Sequence, residues 1–122
     1  MSNLIDFSDR IFVAGHTGMV GSAVLRCLNK AGYGVKGSGS ILTVKRSEVD
    51  LRDQMSVNKW MDLNKPSVVI IAAAKVGGIY ANSTYPTEFL LDNLKIQTNL
   101  IESSWKNGVR RLCFLGSSCI YP

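Results

Sequence analysis

The sequence predicts an α/β fold, a doubly wound parallel sheet with helices on both faces. Three observations carry that expectation. Short apolar runs alternate along the chain with stretches of helical periodicity, the pattern of strand–helix–strand units. The run Val68-Val69-Ile70-Ile71-Ala72 is apolar without interruption, as strands covered on both faces are. A glycine turn, Gly15-His16-Thr17-Gly18-Met19-Val20-Gly21, joins the first apolar run directly to the first amphipathic one.

Each element follows in order. The first strand is expected over Arg10–Ala14. The first helix is expected over Met19–Lys30, with Val20, Ala23, Val24, Cys27 and Leu28 on one face. Tyr33–Ser40, with glycines at 34, 37 and 39, reads as a flexible connector. The second strand is expected over Ile41–Lys45 and the second helix over about Asp53–Leu63. The third strand is Ser67–Ala73, and the fourth is Arg111–Leu115. Between them a helix is expected over Pro86–Lys106, where Phe89, Leu90, Leu94, Gln97, Ile101 and Trp105 recur near helical spacing. Right-handed crossovers put the second strand on one side of the first, and the third and fourth on the other. The order then reverses beside the glycine turn, at the carboxyl ends of the strands, where ligands of such sheets collect.

A chain of 122 residues is one domain, and 46% hydrophobic residues suffice for a core. No run is apolar and long enough to span a bilayer, and Ser2-Asn3-Leu4-Ile5-Asp6 has neither the basic head nor the apolar stretch of a secretory signal, so a cytoplasmic protein is expected. Cys27, Cys113 and Cys119 are odd in number and lack metal-ligand spacing; no metal is expected, and Cys27 and Cys113 read as small core residues. The formal charge of +5 is scattered, with no basic helix face and no aromatic interleaving, which argues against nucleic acid. Part of the excess suits an anionic ligand.

The glycine turn has a specific physical use. Glycines permit a tight turn and close backbone approach to a pyrophosphate, while the first helix offers free N–H groups at its start. His16 lies inside this loop without a Cys or His partner and reads as a loop residue. At the end of the second strand, an NAD site commonly carries an acid that bonds the ribose hydroxyls. Here the segment is Val44-Lys45-Arg46-Ser47, and Arg46 suits a 2′-phosphate in forked geometry, favouring NADP. A solvated basic loop is the alternative. Asp50-Leu51 suits an adenine edge, with Asp50 accepting from the exocyclic amine; a helix N-cap at Asp50 or Asp53 explains the acids equally well. Ala72, Ala73 and Ala74 leave room for a cofactor across the strand ends, or for tight helix–sheet packing. Leu115-Gly116-Ser117-Ser118-Cys119 ends the fourth strand, and its serines and cysteine suit either carbonyl polarisation and proton transfer or an ordinary turn.

Together, AGHTGMVGS (Ala14–Ser22), AAAKVGG (Ala72–Gly78), ANSTYP (Ala81–Pro86) and LGSSCIYP (Leu115–Pro122) resemble the extended short-chain dehydrogenase/reductase family, over about Arg10 to Pro122. The resemblance implies a Rossmann-type sheet, truncated after the fourth recognised strand. It implies an enzyme using NADPH on a GDP-sugar, namely double epimerisation of GDP-4-keto-6-deoxy-mannose followed by reduction of its ketone. Cofactor contacts are then implied for Gly15, His16, Thr17, Gly18, Met19, Val20, Gly21, Arg46, Asp50, Leu51, Ala72, Ala73, Ala74, Leu115, Gly116, Ser117 and Ser118. By motif position, Ser117 bonds the sugar ketone and Cys119 is an epimerisation acid/base. The family also needs a Tyr-x-x-x-Lys pair, and no tyrosine here has lysine four residues on: Tyr33 meets Gly37, Tyr80 meets Thr84 and Tyr85 meets Phe89. Residues 1–122 are therefore expected to be the N-terminal NADP-binding portion of such an enzyme, without its substrate domain and inactive alone. The parent is expected to be a homodimer through Pro86–Lys106. Another nucleotide-sugar epimerase or dehydratase, and a non-catalytic NADP-binding module, are the alternatives.

Overall fold

β1 (Arg10–Ala14) is the centre of the structure, and its side chains from Ile11 to Ala14 are at most 1% exposed. The computed structural model describes residues 4–72 and 86–115. After β1 come α1 (Met19–Ala31), β2 (Ser40–Leu42), α2 (Gln54–Asn64), β3 (Val68–Ile71), α3 (Pro86–Lys106) and β4 (Arg111–Phe114). The sheet order is β2-β1-β3-β4. Every pairing is parallel, with Phe12 opposite Leu42 on one side and Val69 on the other, and Val69 opposite Leu112. The expected α/β class, strand order and switch point are all present.

The alternation of side chains along β1 and β3 divides the core in two. Phe12, Ala14, Val69 and Ile71 face α2 and α3, packing with Val57, Met61, Ile96 and Leu100. Ile11, Val13, Val68 and Ile70 face the other way, against Val24 and Leu28 of α1 and against Tyr33. Fully buried side chains such as Phe12, Met61 and Leu100 contribute roughly 2 kcal/mol each. Trp60 of α2 lies against Phe12, ring centroids 4.3 Å apart.

Four expectations need correction. β2 ends at Leu42, not Lys45, because the chain leaves the sheet and turns, with the amides of Glu48 and Val49 bonding back to the Lys45 carbonyl. In α1, Val20 is 53% exposed and Cys27 is exposed. The inner line of α1 runs through Gly21, Val24 and Leu28, and Val20 and Cys27 lie roughly a quarter turn from it at 3.6 residues per turn. Cys113 is exposed too, because β4 is at the edge of the described sheet. In α3, the stripe Leu90, Leu94, Ile101 and Trp105 faces outward, and the face toward the sheet and α2 is Asp92, Ile96, Asn99, Leu100 and Ser103. Ser103 Oγ bonds Asn58 of α2, so small polar side chains there permit close helix approach.

The connector 33–40 is also tied down rather than loose. Tyr33 N–H bonds Leu28 O, Lys36 N–H bonds Gly32 O, and Gly39 N–H bonds Phe7 O at 2.8 Å. The Phe7 and Tyr33 rings pack in a tilted arrangement, centroids 4.6 Å apart.

Candidate functional site

At the carboxyl ends of β1 and β3 the chain leaves a cleft of about 460 Å3, lined by Gly15 to Gly18, Val44 to Arg46, Val49 to Arg52, Ala72 and Ile96. Its first wall is the glycine turn. Gly15 has φ +88°, a left-handed conformation that favours glycine, and its carbonyl accepts from Gly18 N–H at 3.1 Å. Gly21, at the start of α1, sits directly beneath that carbonyl, and a Cβ there would collide with the Gly15 oxygen. Gly21 therefore sets how near α1 comes to the loop. Gly18 differs, because a Cβ on it would meet Gly15 O at an ordinary 3.6 Å.

Gly18 is the N-cap of α1, and it supplies no side-chain bond to the first turn, which also holds no acidic residue. The amides at the start of α1 thus keep their partial positive charge uncompensated by side chains. An anionic phosphate fits that arrangement.

The β2–α2 loop is a second part of the lining. Arg46 and Lys45 belong to it, both exposed, and neither makes an ion pair among the described residues. Val49, 8% exposed, anchors the loop in the core. Asn99 of α3, itself buried, donates from Nδ2 to Leu51 O at 2.9 Å. Asp50 does not cap α2. The N-cap is Asp53, which makes no side-chain cap bond, and Asp50 is gripped by Arg52 instead. Arg52 donates from Nε to Asp50 Oδ1 at 3.1 Å and from Nη2 to Oδ2 at 3.0 Å, while its backbone N–H reaches Oδ1 at 3.0 Å. Its Nη1 lies 3.6 Å from Asp92 Oδ2 on α3. The side-chain and backbone bonds from Arg52 hold the Asp50 carboxyl below the usual aspartate range against the opposing effect of burial, helped by the charges of Arg52 and Arg46. The Asp50 bonds and charge, with that of Asp92, raise Arg52 in turn.

Of the residues expected at a cofactor site, Gly15, His16, Thr17, Gly18, Arg46, Asp50, Leu51 and Ala72 come together around this cleft. Met19 is 89% exposed and Val20 half-exposed outside the lining, and Gly21 serves packing beneath the loop. Leu115 packs beside the sheet face that meets α1. Ala73, Ala74, Gly116, Ser117, Ser118 and Cys119 lie outside the described residues, as does Ile79–Tyr85. Sequence reasoning passed over Arg52, Val49 and Ile96. Val49 and Ile96 carry no distinctive signal, and an Asp-x-Arg spacing in a loop has no periodicity to mark it.

The family model described as "NAD dependent epimerase/dehydratase family" matches residues 11–122. GDP-L-fucose synthase 1 of Arabidopsis thaliana is 49% identical over 122 residues, which are 100% of this chain and 36% of the relative. Among solved structures, the GDP-mannoheptose C4 reductase MlghC of Campylobacter jejuni, with NADP bound, superposes with a TM-score of 0.84 at 34% identity, covering 97% of this chain and 33% of the other. The GDP-L-fucose synthetase of Naegleria fowleri, bound to NADP, gives a TM-score of 0.78 at 27% identity, covering 97% and 33%. The chain thus spans about a third of the length of the relatives it matches.

Proposed function

The chain belongs to the NAD dependent epimerase/dehydratase family, and on that footing we propose that it is the NADP-binding portion of a cytosolic enzyme converting GDP-4-keto-6-deoxy-mannose to GDP-L-fucose. One observation carries the cofactor reading: Arg46 and Lys45 line the same cleft as the glycine turn. Uncapped amides at α1 suit the pyrophosphate, and Arg46 suits the additional phosphate that distinguishes NADP from NAD. The small side chain of Ala72 leaves the floor of the cleft open.

When bound, NADPH supplies the hydride that reduces the sugar ketone. The ketone also acidifies the C–H bonds beside it, so a side chain able to remove and return a proton can invert those carbons through an enolate. Ser117, by its motif, bonds the ketone oxygen, and Cys119 moves the proton. Both follow β4, whose carboxyl end lies at the same edge of the sheet as the cleft. The outward stripe of Leu90, Leu94, Ile101 and Trp105 on α3 supports a homodimer of the whole enzyme through that helix.

The test is a fluorescence titration of the protein with NADPH and with NADH. NADPH should bind at least about tenfold more tightly, and Arg46→Ala should remove that preference. Equal affinities for the two cofactors in the unsubstituted protein overturn the reading. Because no Tyr-x-x-x-Lys occurs in the 122 residues, the chain by itself should bind cofactor without turning over the keto sugar. Product analysis with the whole enzyme separates GDP-L-fucose formation from other nucleotide-sugar chemistry.

A further inference from the structure

A carboxylate at Asp50 has two uses open to it, a helix N-cap or an acceptor for the exocyclic amine of an adenine. The fold removes the first, because Asp53 caps α2 and Asp50 lines the cleft. The acceptor positions of Asp50 can then be counted. An ionised carboxylate offers about four lone-pair sites, shared equally by its oxygens. Oδ1 accepts from the Arg52 backbone N–H at 3.0 Å and from Arg52 Nε at 3.1 Å, which fills it. Oδ2 accepts from Arg52 Nη2 at 3.0 Å. Among the bonds of the described residues, a single site on Oδ2 is left over, and the Asp50 side chain is 45% exposed, open to a ligand in the cleft.

Arg52 is itself held by α3. Its Nη1 lies 3.6 Å from Oδ2 of Asp92, a side chain only 11% exposed. A guanidinium is planar, so fastening Nη1 at the helix while Nε and Nη2 grip the carboxylate also sets the plane of the Asp50 carboxyl group. The same helix holds the intervening Leu51 carbonyl through Asn99, at 2.9 Å.

We propose that Arg52 is a positioning residue for base recognition: by filling Oδ1 and fixing the plane of the carboxyl group it leaves Asp50 one acceptor, on Oδ2, for the exocyclic amine of adenine, and so makes the site select adenine over hypoxanthine. This rests on the cofactor reading above and extends it from the phosphates to the base. Hypoxanthine carries a carbonyl oxygen where adenine carries the amine. It forfeits the bond and sets that oxygen against the carboxylate, so a site built around this acceptor rejects it.

The experiment is a fluorescence titration with NADPH, with NADH and with reduced nicotinamide hypoxanthine dinucleotide phosphate. Two ratios are read. The Kd of the hypoxanthine cofactor over that of NADPH reports the base, and the Kd of NADH over that of NADPH reports the 2′-phosphate. Incomplete folding of a variant alters neither ratio, because unfolded protein lowers all signals together. In the unsubstituted protein the base ratio should be about tenfold or more, and in D50A it should fall to within about twofold of unity. R52K keeps the positive charge and gives up the fork. Its base ratio should fall to about threefold or less, while its phosphate ratio stays within about threefold of the original. An R52K base ratio equal to the original overturns the proposal, because charge alone then suffices. A preference for adenine that survives in D50A overturns it too, by placing recognition on another group. If R52K lowers both ratios alike, Arg52 merely shapes the loop that also carries Arg46, and the proposal falls. Failure of the underlying cofactor reading looks different: the unsubstituted protein would then show no preference for NADPH over NADH, whatever its base ratio.

Discussion

At the scale of single residues, the glycine turn contains two glycines with opposite duties, and substitution separates them. Alanine is favoured over glycine inside helices by up to about 1 kcal/mol. At Gly21 that gain is outweighed, because the added methyl collides with the backbone oxygen of Gly15, which has no flexible end to move. Gly21→Ala should therefore destabilise the fold by about 1–3 kcal/mol, seen as a lowered midpoint in urea unfolding. At Gly18 the same methyl meets only an ordinary contact, and the backbone (φ −75°, ψ 172°) is extended and open to any residue. Gly18→Ala should cost less than Gly21→Ala, at most about 1 kcal/mol for a poorer N-cap, while weakening NADPH binding, since Gly18 lines the cleft. A midpoint lowered as much by Gly18→Ala as by Gly21→Ala would contradict this division. The sequence made Gly15, Arg46 and Asp50 visible through their place between a strand and a helix, although a solvated loop and a helix N-cap explained Arg46 and Asp50 as well. It hid Arg52, whose significance comes from a carboxylate two residues away in an irregular loop. It also misplaced Cys27 and Cys113 in the core, since a thiol's small apolar character says nothing about which side of an element it occupies.

Among the elements, the β2–α2 loop is the part of the cleft with least regular structure, and α3 holds it. Asn99 reaches from the buried face of α3 to the Leu51 carbonyl, in the middle of the segment that carries Arg46, Asp50 and Arg52. Asn99→Leu should cost about 1–2 kcal/mol in stability through the lost bond and the carbonyl left without it. It should weaken NADPH binding as well, measured under conditions where the variant is fully folded. Intact NADPH affinity in the folded variant would show that the loop holds its shape without α3. The bounds of β1 and α3 were legible and fall where expected, whereas β3, which has the longest uninterrupted apolar run, is Val68–Ile71 rather than Ser67–Ala73. The face of α3 was not legible. That helix carries apolar residues on two sides, and the wider stripe, Leu90 to Trp105, points away from the sheet. Periodicity detects a stripe but does not say what meets it. The side that does meet the core uses Asn99 and Ser103, polar residues that become interior only because α2 and the loop supply their partners.

For the whole molecule, strand order followed from handedness and needed no side-chain detail, so it was the most legible property of all. What sequence reasoning left unread was the polar fastening at the amino ends of the strands. Asp9, immediately before β1 and 7% exposed, accepts from Ser67 Oγ before β3 at 2.8 Å, from Asp6 N–H at 2.7 Å, and pairs with Arg110 before β4. Burial works to raise the Asp9 carboxyl, but the bonds from Asp6, Arg110 and Ser67 outweigh it and hold the group below its ordinary 3.8. A depressed carboxylate stabilises the folded state fully above its unfolded pKa, and that contribution disappears as pH falls through the folded one. The melting temperature should therefore be flat near neutrality and decline as pH drops below the ordinary carboxylate range, with Asp50 acting in the same direction. Asp9→Asn should lower the neutral-pH stability by about 1–3 kcal/mol and flatten the acid limb of the profile. An acid limb as steep in the variant as in the original protein would assign the effect elsewhere.

The fastening and the cleft occupy opposite edges of one sheet, with the full length of β1 and β3 between them. Durability and discrimination are consequently independent targets for redesign: the Asp9 end can be reinforced to raise heat resistance while the Arg46–Asp50–Arg52 end is rewritten to accept a different dinucleotide, and neither set of changes need compromise the other.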